Sequence, residues 1–541
     1  MKRAFWFDEA YMNQQMEDVD VTKTRAVHFA KNYNNCSVTE NGALGYRKTK
    51  SALLDLNFKA SSLRNWEEEV VVKDFVKAYY ESPQYAVKWL FFLRDILKGM
   101  GERRAFRICL KYLALSKPLI VKAVLPYIPE YGRYDDCLVL LDTPLAEDVA
   151  DMYQKQLVKD LKAMEENEPV SLLGKWLPGI NTSSKKTRAC AGKLCKYFHM
   201  SQREYRKMLA KLRAYGNVAE AKMSASKWGE IAYEKLPAKA NMRYDKAFER
   251  HDLQRRKEYL SRVYLGDDKL NAKGMMPYEI VHRIITAPHY SFGLGDNLLA
   301  EMMWKKITEE GFQNDWGLED AIVVADGSGS MFTRISGGSS VMAIEICNSL
   351  AIYFAQQLKG VFHNKAITFS QTPQFIEFND DNSLKEKLEI MFAYDEVANT
   401  NIEAVFMLIL DMAKSKAVPR EELPKQVVII SDMEFDEATG ACQYGRTACN
   451  RSEKLFDSIA ARYERNGYKM PRLIFWNVCG RTNTIPKVDN KEGLCLLSGF
   501  SQNAMRIASD RTKKDPYDAL ISVLDSERYQ VIDDAIREIV A

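Results

Sequence analysis

The sequence predicts a protein in two parts, an all-helical N-terminal part followed by an α/β domain with a mostly parallel sheet. Up to about residue 310, apolar residues recur at three- and four-residue spacing, as in the runs 91–97 and 106–113, and short Gly or Pro breaks separate the runs. From about Trp316, short β-branched runs alternate with helical patterns, which favours parallel strands covered by helices. The boundary is expected between Glu309 and Asp320.

The individual elements follow from the same patterns. Successive helices without a strict sequence repeat are typical of an α-solenoid of HEAT type. In the C-terminal part we expect strands at 321–325, 366–369, 427–431 and 473–478, and helices at 342–357, 402–410 and 454–465. The tail from Asp515 to Ala541 is expected to form two short helices.

The first expected strand ends in a motif with metal-binding chemistry. Residues 323–325 lead into Asp326, Gly327, Ser328, Gly329 and Ser330, and this Asp-x-Ser-x-Ser pattern resembles the metal-ion-dependent adhesion site (MIDAS) of von Willebrand factor A (vWA) domains. A parallel strand delivers such residues to the carboxyl edge of a sheet, where α/β folds place their ligands. The aspartate supplies an anionic oxygen, the serines supply hydroxyl oxygens, and the glycines permit the turn. Hard oxygen ligands of this kind suit Mg²⁺ better than a soft metal.

Two downstream segments complete the expected site. Thr400 precedes the helical run 402–410, and Asp432 ends the apolar strand 427–431. We therefore expect Mg²⁺, or Mn²⁺, with one position open to water or to a partner carboxylate. The expected metal ligands are Asp326, Ser328, Ser330 and Thr400, with Asp432 binding directly or through water. The alternative for the first loop alone is an ordinary Gly/Ser turn after a strand.

Other common sites do not match the residues present. The turn from Gly327 to Ser330 lacks the third glycine of a dinucleotide fingerprint, the lysine of a P-loop and the Gly-x-Ser-x-Gly pattern of a nucleophile elbow. A phosphatase of the aspartyl-phosphate type would need a second aspartate in place of Ser328. Ten cysteines without a Cys-x-x-Cys pair favour reduced intracellular thiols over zinc. We find no Ser/His/Asp set or metal-carboxylate cluster in the sequence that argues for an enzyme.

The middle of the helical part carries a segregated positive charge. From Lys175 to Lys257 there are 21 Lys and Arg against 7 Asp and Glu, which gives +14, whereas the whole chain is only +4. Such a basic face indicates a polyanion binder, and the alternative is a solvated helix face. Ser183 or Ser184 can cap a helix from Lys185. The expected RNA-binding residues are Lys175, Trp176, Asn181, Thr182, Ser183, Lys185, Lys186, Arg188, Arg203, Arg206 and Lys207, with Trp176 and Tyr215 as stacking platforms.

Targeting signals are not expected in this sequence. The first residues, Met1 to Asp8, are interrupted by charges and do not form the long apolar core of a signal peptide. Apolar runs also stay well short of a membrane span. The sequence therefore predicts a cytoplasmic protein without a membrane partner.

The combination of a helical part with a C-terminal MIDAS resembles the Ro autoantigen family, in which a TROVE module precedes a vWA domain. The segments that carry this resemblance are 52–59, 93–96 with 99–103, and 225–231. The chain looks even more similar to a less characterised Ro-like group, for which 175–178, 431–435 and 498–501 are typical.

The resemblance implies an α + α/β fold, with a HEAT-like α-helical repeat ring followed by a vWA domain. It divides the chain into an N-terminal extension (1–40), a TROVE-like helical-repeat domain (41–315), a vWA domain with MIDAS (316–510) and C-terminal helices (511–541). It also implies that single-stranded 3′ ends of misfolded small RNAs bind in the ring, and that small non-coding RNAs bind the basic outer surface.

We therefore expect a non-enzymatic RNA-binding protein of ribonucleoprotein type. The alternative is an adaptor whose MIDAS metal binds an acidic residue of a protein partner. Salt-dependent retention on RNA favours the first function, whereas divalent-dependent capture of a protein after ribonuclease treatment favours the second.

Overall fold

The fold is known from a computed structural model. The structure describes residues 36–38, 44–46, 48–285, 293–311, 320–336, 338–370, 372–394, 402–433, 448–480, 485–486, 493–510, 512–513 and 515–540.

The N-terminal part is built from helices, as the apolar periodicity predicts. Most are amphipathic and bury one face against the next helix. The α-helices are α1 (Ala52–Phe58), α2 (Glu68–Glu81), α3 (Pro83–Arg94), α4 (Arg104–Ser116), α5 (Pro118–Val124), α6 (Ile128–Tyr131), α7 (Ala146–Glu165), α8 (Leu173–Trp176), α9 (Lys185–Tyr197), α10 (Gln202–Tyr215), α11 (Ala219–Ser224), α12 (Ala238–His251), α13 (Leu253–Leu265), α14 (Pro277–Ile284) and α15 (Leu298–Gly311). Short 3₁₀ helices lie between them, at Ser62–Arg64, Leu125–Tyr127, Tyr134–Asp142, Trp228–Glu230 and Tyr233–Lys235.

The C-terminal part contains a six-stranded, mostly parallel sheet. Its strands are β3 (Ala321–Ala325), β4 (Lys365–Thr368), β5 (Phe375–Glu377), β6 (Gln426–Ser431), β7 (Arg472–Asn477) and β9 (Leu494–Ser498). The order across the sheet is β5-β4-β3-β6-β7-β9, and only β5 pairs antiparallel to its neighbour. Every residue of β3 and β6 is buried, as expected for parallel strands covered on both faces.

Helices cover this sheet and follow it to the end of the chain. They are α16 (Ala343–Ala355), α17 (Leu384–Ala393), α18 (Ile402–Ser415), α19 (Ala448–Arg465), α20 (Arg506–Ser509), α21 (Pro516–Leu524) and α22 (Glu527–Val540). Further 3₁₀ turns lie at Gly329–Phe332, Gly360–Phe362, Arg420–Glu422 and Gln502–Met505. A second, antiparallel sheet joins β1 (Cys36–Val38), β2 (Leu44–Tyr46) and β8 (Ile485–Pro486). Within the described ranges, no helix is both long and apolar enough to cross a membrane.

The expected elements agree with this architecture, with shifts at their ends. Strand β3 has the expected bounds, and β4, β6 and β7 each begin one residue earlier than expected. The helical run 106–113 lies inside α4, whereas the run 91–97 ends early, at Arg94. Ile96 and Leu97 lie beyond that end and are 38% and 43% exposed, so their apolar character does not reflect helix burial.

The helical part contacts the α/β part through its first helices. The Ser61 main-chain N–H donates to Ser498 Oγ at the end of β9 (2.9 Å), and Ser62 Oγ donates to the Gly480 carbonyl (2.6 Å). Asn65 Nδ2 donates to the Ile335 carbonyl (2.9 Å). Farther along the chain, α14 packs on α16. The helical part therefore meets the α/β part near both of its ends.

The C-terminal helices return to the start of the helical part. Helix α22 packs against α3 and α5, and one apolar core runs through both parts of the chain. The Arg528 guanidinium donates to Asp95 Oδ2 (2.9 Å), and Asp95 is fully buried. Helix α22 therefore belongs to the packing of the helical part.

The contact between Ser62 and Gly480 gives a first testable prediction. Ser62→Ala removes the donor to a buried carbonyl, and an unpaired buried polar group costs about 1–3 kcal/mol. We expect a lower melting temperature in calorimetry. Ser116→Ala is the matched control, because the Ser116 hydroxyl donates to the Tyr112 carbonyl on an exposed helix face, where water replaces it. Equal melting temperatures for both variants would contradict this role of Ser62.

Candidate functional site

Asp326 and Asp432 lie at the carboxyl ends of two adjacent parallel strands. β3 and β6 pair in register with Ala325 opposite Ile430, and each aspartate is the first residue after its strand. Neighbouring strands are about 4.8 Å apart, so the two acids occupy one small region of the sheet edge. They are only 3% and 2% exposed. Two buried acidic residues at one sheet edge are an arrangement that a bound cation stabilises.

The turn after Asp326 is held by the aspartate itself. The Ser328 main-chain N–H donates to Asp326 Oδ1 (2.9 Å), and the Ser431 hydroxyl donates to Asp326 Oδ2 (2.6 Å). The Ser328 and Ser330 hydroxyl oxygens are 3.0 Å apart. The structure therefore brings the two serine hydroxyls together, beside a carboxylate fixed at both of its oxygens.

This donor set fits a hard divalent cation. The Asp326 carboxylate supplies an anionic oxygen ligand, and a carboxylate has about four lone-pair sites. The neighbouring donors are hydroxyl oxygens and a second carboxylate, which are ligands of Mg²⁺ and Mn²⁺ rather than of a soft metal. Thr400, the remaining expected ligand, lies outside the described residues. Within the described ranges no group of three or more His, Cys, Asp or Glu forms an alternative metal centre.

A small cavity adjoins the aspartate turn. Its lining includes Gly327, Asn348, Thr368, Ser370 and Tyr394. Its volume of about 10 Å³ has room for about one water molecule. The sheet edge therefore has a small cavity next to the turn that carries Asp326 and Ser328.

Helices α9 and α10 present a strongly basic surface. Residues 185–215 contain ten Lys and Arg and a single acid, Glu204. Glu204 is used locally, because it forms a capping box with Ser201 at the start of α10. The buried residues of α10 include Tyr205 and Leu209, and its exposed cations lie on the opposite side. Both helices therefore turn a cationic face to solvent.

Most cations of this surface are exposed and make no ion pair with any residue that the structure describes. We call these seven side chains the basic face: Lys185, Lys186, Lys196, Arg203, Arg206, Lys207 and Lys211. The nearby Lys193 instead pairs with Asp142. Unpaired like charges repel one another, so an anion with several charges is the partner that relieves the repulsion.

Several side chains in and beside the loop before α9 contact other protein groups, although the sequence predicts that they bind RNA. The Arg188 guanidinium donates to the Thr182 and Ser183 carbonyls (2.5 and 2.8 Å), and Lys175 Nζ lies 3.6 Å from Glu220. The Arg133 guanidinium lies 4.0 Å from the centre of the Trp176 ring. These side chains already have protein partners.

Other residues of this region that are expected to contact RNA lie at or near the protein surface. Asn181 is exposed and Thr182 is half-buried. The Tyr215 hydroxyl donates to the Glu168 carbonyl (2.9 Å), which fixes the edge of its half-buried ring. The loop therefore joins the basic face through exposed polar groups.

Ser184 caps helix α9, which settles the choice between Ser183 and Ser184. Its hydroxyl accepts from the Thr187 main-chain N–H (3.2 Å). Ser184→Ala should lower the free energy of unfolding by about 1 kcal/mol, because the N-cap acceptor of the Thr187 N–H is lost. Ser183→Ala, which removes a neighbouring exposed hydroxyl without a capping role, is the control. Thermal unfolding of both variants tests this, and an unchanged melting temperature for Ser184→Ala would contradict it.

The structure also brings together three residues that the sequence does not connect. His282 of α14 lies between Ser340 and Glu345, with both contacts at hydrogen-bond distance. This Ser/His/Glu set corrects the expectation that the chain holds no Ser/His/acid arrangement. The residues are 58 and 63 positions apart in sequence, so neither spacing nor a motif reveals them.

The fold and the site define a class of protein, in which a helical part closes against an α/β domain with an oxygen-rich turn at its sheet edge. Within that class, residues 143–314 match the family model described as Domain of unknown function (DUF2828), and residues 320–532 match Domain of unknown function (DUF7788). The two matched ranges meet between α15 and β3.

Two proteins are similar to the chain over most of its length. Uncharacterized protein L728 of Acanthamoeba polyphaga mimivirus is 26% identical over 527 residues, which cover 91% of this chain and 87% of the relative. The crystal structure of the Deinococcus radiodurans RO (RSR) protein aligns with a TM-score of 0.33 and 11% identity, over 86% of this chain and 95% of that chain.

Proposed function

We propose that this protein binds RNA through the basic face and leaves the RNA chemically unchanged. The observation that carries the proposal is the set of seven exposed, unpaired cations on α9 and α10. A phosphate backbone offers regularly spaced negative charges, and each Lys or Arg that contacts a phosphate releases a condensed counterion. The resemblance to the Ro family favours RNA over other polyanions.

Single-stranded RNA ends are the proposed ligand. The loop 175–188 supplies exposed hydroxyl and amide groups beside the basic face, and such groups can donate to phosphate and sugar oxygens. Half-buried aromatic rings at Trp176 and Tyr215 add surfaces on which an unpaired base can stack. A duplex keeps its bases stacked internally, so it gains less from these rings. Small non-coding or misfolded RNAs with free ends are therefore the expected class.

We further propose that the sheet edge binds Mg²⁺ or Mn²⁺. Asp326, Asp432, Ser328 and Ser330 would hold the metal, with Thr400 as the further expected ligand. The bound cation would offset the charge of two buried aspartates and fix the turn after β3. In this proposal the metal has a structural and ligand-binding role.

The experiment that tests RNA binding is a salt titration with defined probes. Fluorescence anisotropy is measured with a labelled 20-nucleotide single-stranded RNA and with a duplex of the same sequence. We expect tighter binding of the single strand, and a logarithm of affinity that falls linearly with the logarithm of salt concentration. Binding that does not respond to salt, or no binding of either probe at low salt, would refute the proposal.

A second candidate function rests on the two buried aspartates at the sheet edge. A metal held there can accept a carboxylate from a protein partner. The protein would then act as an adaptor. Capture of a partner that requires Mg²⁺ and survives ribonuclease treatment favours this function over RNA binding.

A further inference from the structure

Ser340, His282 and Glu345 form a connected hydrogen-bonded set where the helical part meets the α/β part. His282 Nε2 lies 2.9 Å from Ser340 Oγ, and His282 Nδ1 lies 2.7 Å from Glu345 Oε2. Glu345 is fully buried and Ser340 is exposed. The set therefore runs from a buried carboxylate, through an imidazole, to a hydroxyl that solvent can reach.

The surroundings of Glu345 determine how the imidazole is used. Its other oxygen, Oε1, accepts the Met342 main-chain N–H (3.0 Å), which fixes the carboxylate at the first turn of α16. An ionised carboxylate only accepts hydrogen bonds, so His282 Nδ1 carries the hydrogen that it donates to Glu345. Nε2 of the neutral ring is then an acceptor, and the Ser340 hydroxyl donates to it. This is the order of proton donors and acceptors that activates a serine nucleophile.

The loop that carries Ser340 is held in place by main-chain hydrogen bonds. The Ile335 N–H donates to the Val341 carbonyl (3.0 Å), and the Ala343 N–H donates to the Thr333 carbonyl (3.0 Å). Ser340 therefore sits in a closed loop rather than on a free segment. A fixed nucleophile loop is a requirement of covalent catalysis, because misplacement by 1 Å is costly.

A cavity of about 390 Å³ lies beside His282 of this set. His282 and Val341, the residue after Ser340, are part of its lining. Met242, Met275 and Tyr278 add buried apolar surface. The volume fits a small organic molecule, and the methionine and tyrosine walls fit an apolar acyl group.

The charged residues of the cavity define the other end of the ligand. Lys239 pairs with Glu279 at 2.8 Å, so their charges offset each other. Arg283 is exposed, lines the cavity and makes no ion pair within the described part of the chain. An anionic group on the ligand is what this guanidinium can stabilise.

We propose that this set is a serine esterase site for small carboxylic esters with an apolar acyl group. The Ser340 Oγ attacks the ester carbonyl carbon, and its proton passes to His282 Nε2. The bond to the leaving alcohol breaks, and the alcohol takes that proton. Water then attacks the acyl-serine, gives a proton to His282 Nε2, and releases the carboxylic acid as Ser340 regains its proton. Glu345 is a positioning residue that orients the imidazole.

The test uses a biotinylated alkyl fluorophosphonate, which forms a Ser Oγ–P bond with loss of fluoride at an activated serine. The full chain is treated with the probe, and the labelled peptide is identified by mass spectrometry. We expect label on Ser340 and a labelling rate that rises with pH and then levels off, as general-base activation requires. Ser340→Ala should remove the label, whereas Ser415→Ala, a change at an exposed hydroxyl on α18 that donates to the Met412 carbonyl, should retain it.

Two further variants separate activation from folding. His282→Ala should slow labelling by roughly a hundredfold or more, because it removes the general base. Glu345→Gln should slow labelling and change the shape of its pH profile. A purely structural loss would instead lower the labelling rate by the same factor at every pH. RNA binding should be unchanged in Ser340→Ala, so failure of this site and failure of the RNA proposal are distinguishable. Absence of label on Ser340 in the folded parent, or equal labelling in His282→Ala, would overturn the esterase proposal.

Discussion

Replacing Asp326 by alanine is expected to abolish binding of Mg²⁺ and Mn²⁺ while the protein stays folded. Asp326 lies at the sheet edge, where it accepts hydrogen bonds from Ser328 and Ser431. In the metal-free protein it also lies close to a second buried acid, Asp432. Two carboxylates at short distance repel each other. The alanine variant loses the hydrogen bonds from Ser328 and Ser431, but it also loses this repulsion, which offsets part of the cost in stability.

The measurement is thermal unfolding with and without Mg²⁺, supported by electron paramagnetic resonance of free Mn²⁺. A ligand that binds only the folded state adds about 2.7 kcal/mol at a concentration of one hundred times its Kd. The melting temperature of the parent protein should therefore rise when Mg²⁺ is added, and that of Asp326→Ala should stay the same. Asp411→Ala is the control, since Asp411 is an exposed acid on α18. A metal-dependent shift of the same size in Asp326→Ala would exclude this site.

The strand positions could be predicted because burial on both faces leaves a simple signal. Strands β3 and β6 are continuous apolar, β-branched runs, and the acids that follow them mark the carboxyl edge of the sheet. By contrast, β9 is a five-residue leucine- and cysteine-containing run without a β-branched residue, so its composition does not favour a strand. Its place at the sheet edge, next to β7, depends on pairing that no local pattern reveals.

The early end of α3 shows how tertiary contacts override periodicity. Asp95 turns its carboxylate to the main-chain N–H of Leu97 and Lys98 (3.0 and 3.2 Å) and to Arg528 of the last helix. The partner of this buried acid lies more than 400 residues away, so the apolar run alone extends the predicted helix too far.

The candidate sites also combine features that the sequence predicts with features that depend on tertiary contacts. Charge density on α9 and α10 is a property of composition, so the basic face could be predicted. The sequence could not predict which of the cations already have protein partners. Glu220 pairs with Lys175 from another helix, and Arg188 donates hydrogen bonds to carbonyls of its own loop. The contact of His282 with Ser340 and Glu345 forms only when α14 packs on α16.

Reversing four charges of the basic face is expected to weaken RNA binding by roughly a thousandfold at moderate salt. The variant changes Lys185, Lys186, Arg203 and Lys207 to glutamate. Each lost charge-assisted phosphate contact costs on the order of 1 kcal/mol, and every 1.4 kcal/mol is about tenfold in affinity. These side chains are exposed and unpaired, so the fold and the metal response of the α/β part should stay unchanged.

The salt dependence distinguishes direct contacts from a general change in net charge. Loss of four phosphate contacts on a single strand lowers the slope of log affinity against log salt by about 3. The matched control reverses four exposed lysines elsewhere, Lys73, Lys111, Lys117 and Lys305, which gives the same net charge. It should keep most of the affinity and the parental slope, because long-range effects are screened within about 10 Å at 0.1 M salt. If both variants bound single-stranded RNA equally well, the basic face would not be the RNA site, and the adaptor function would become the better explanation of the fold.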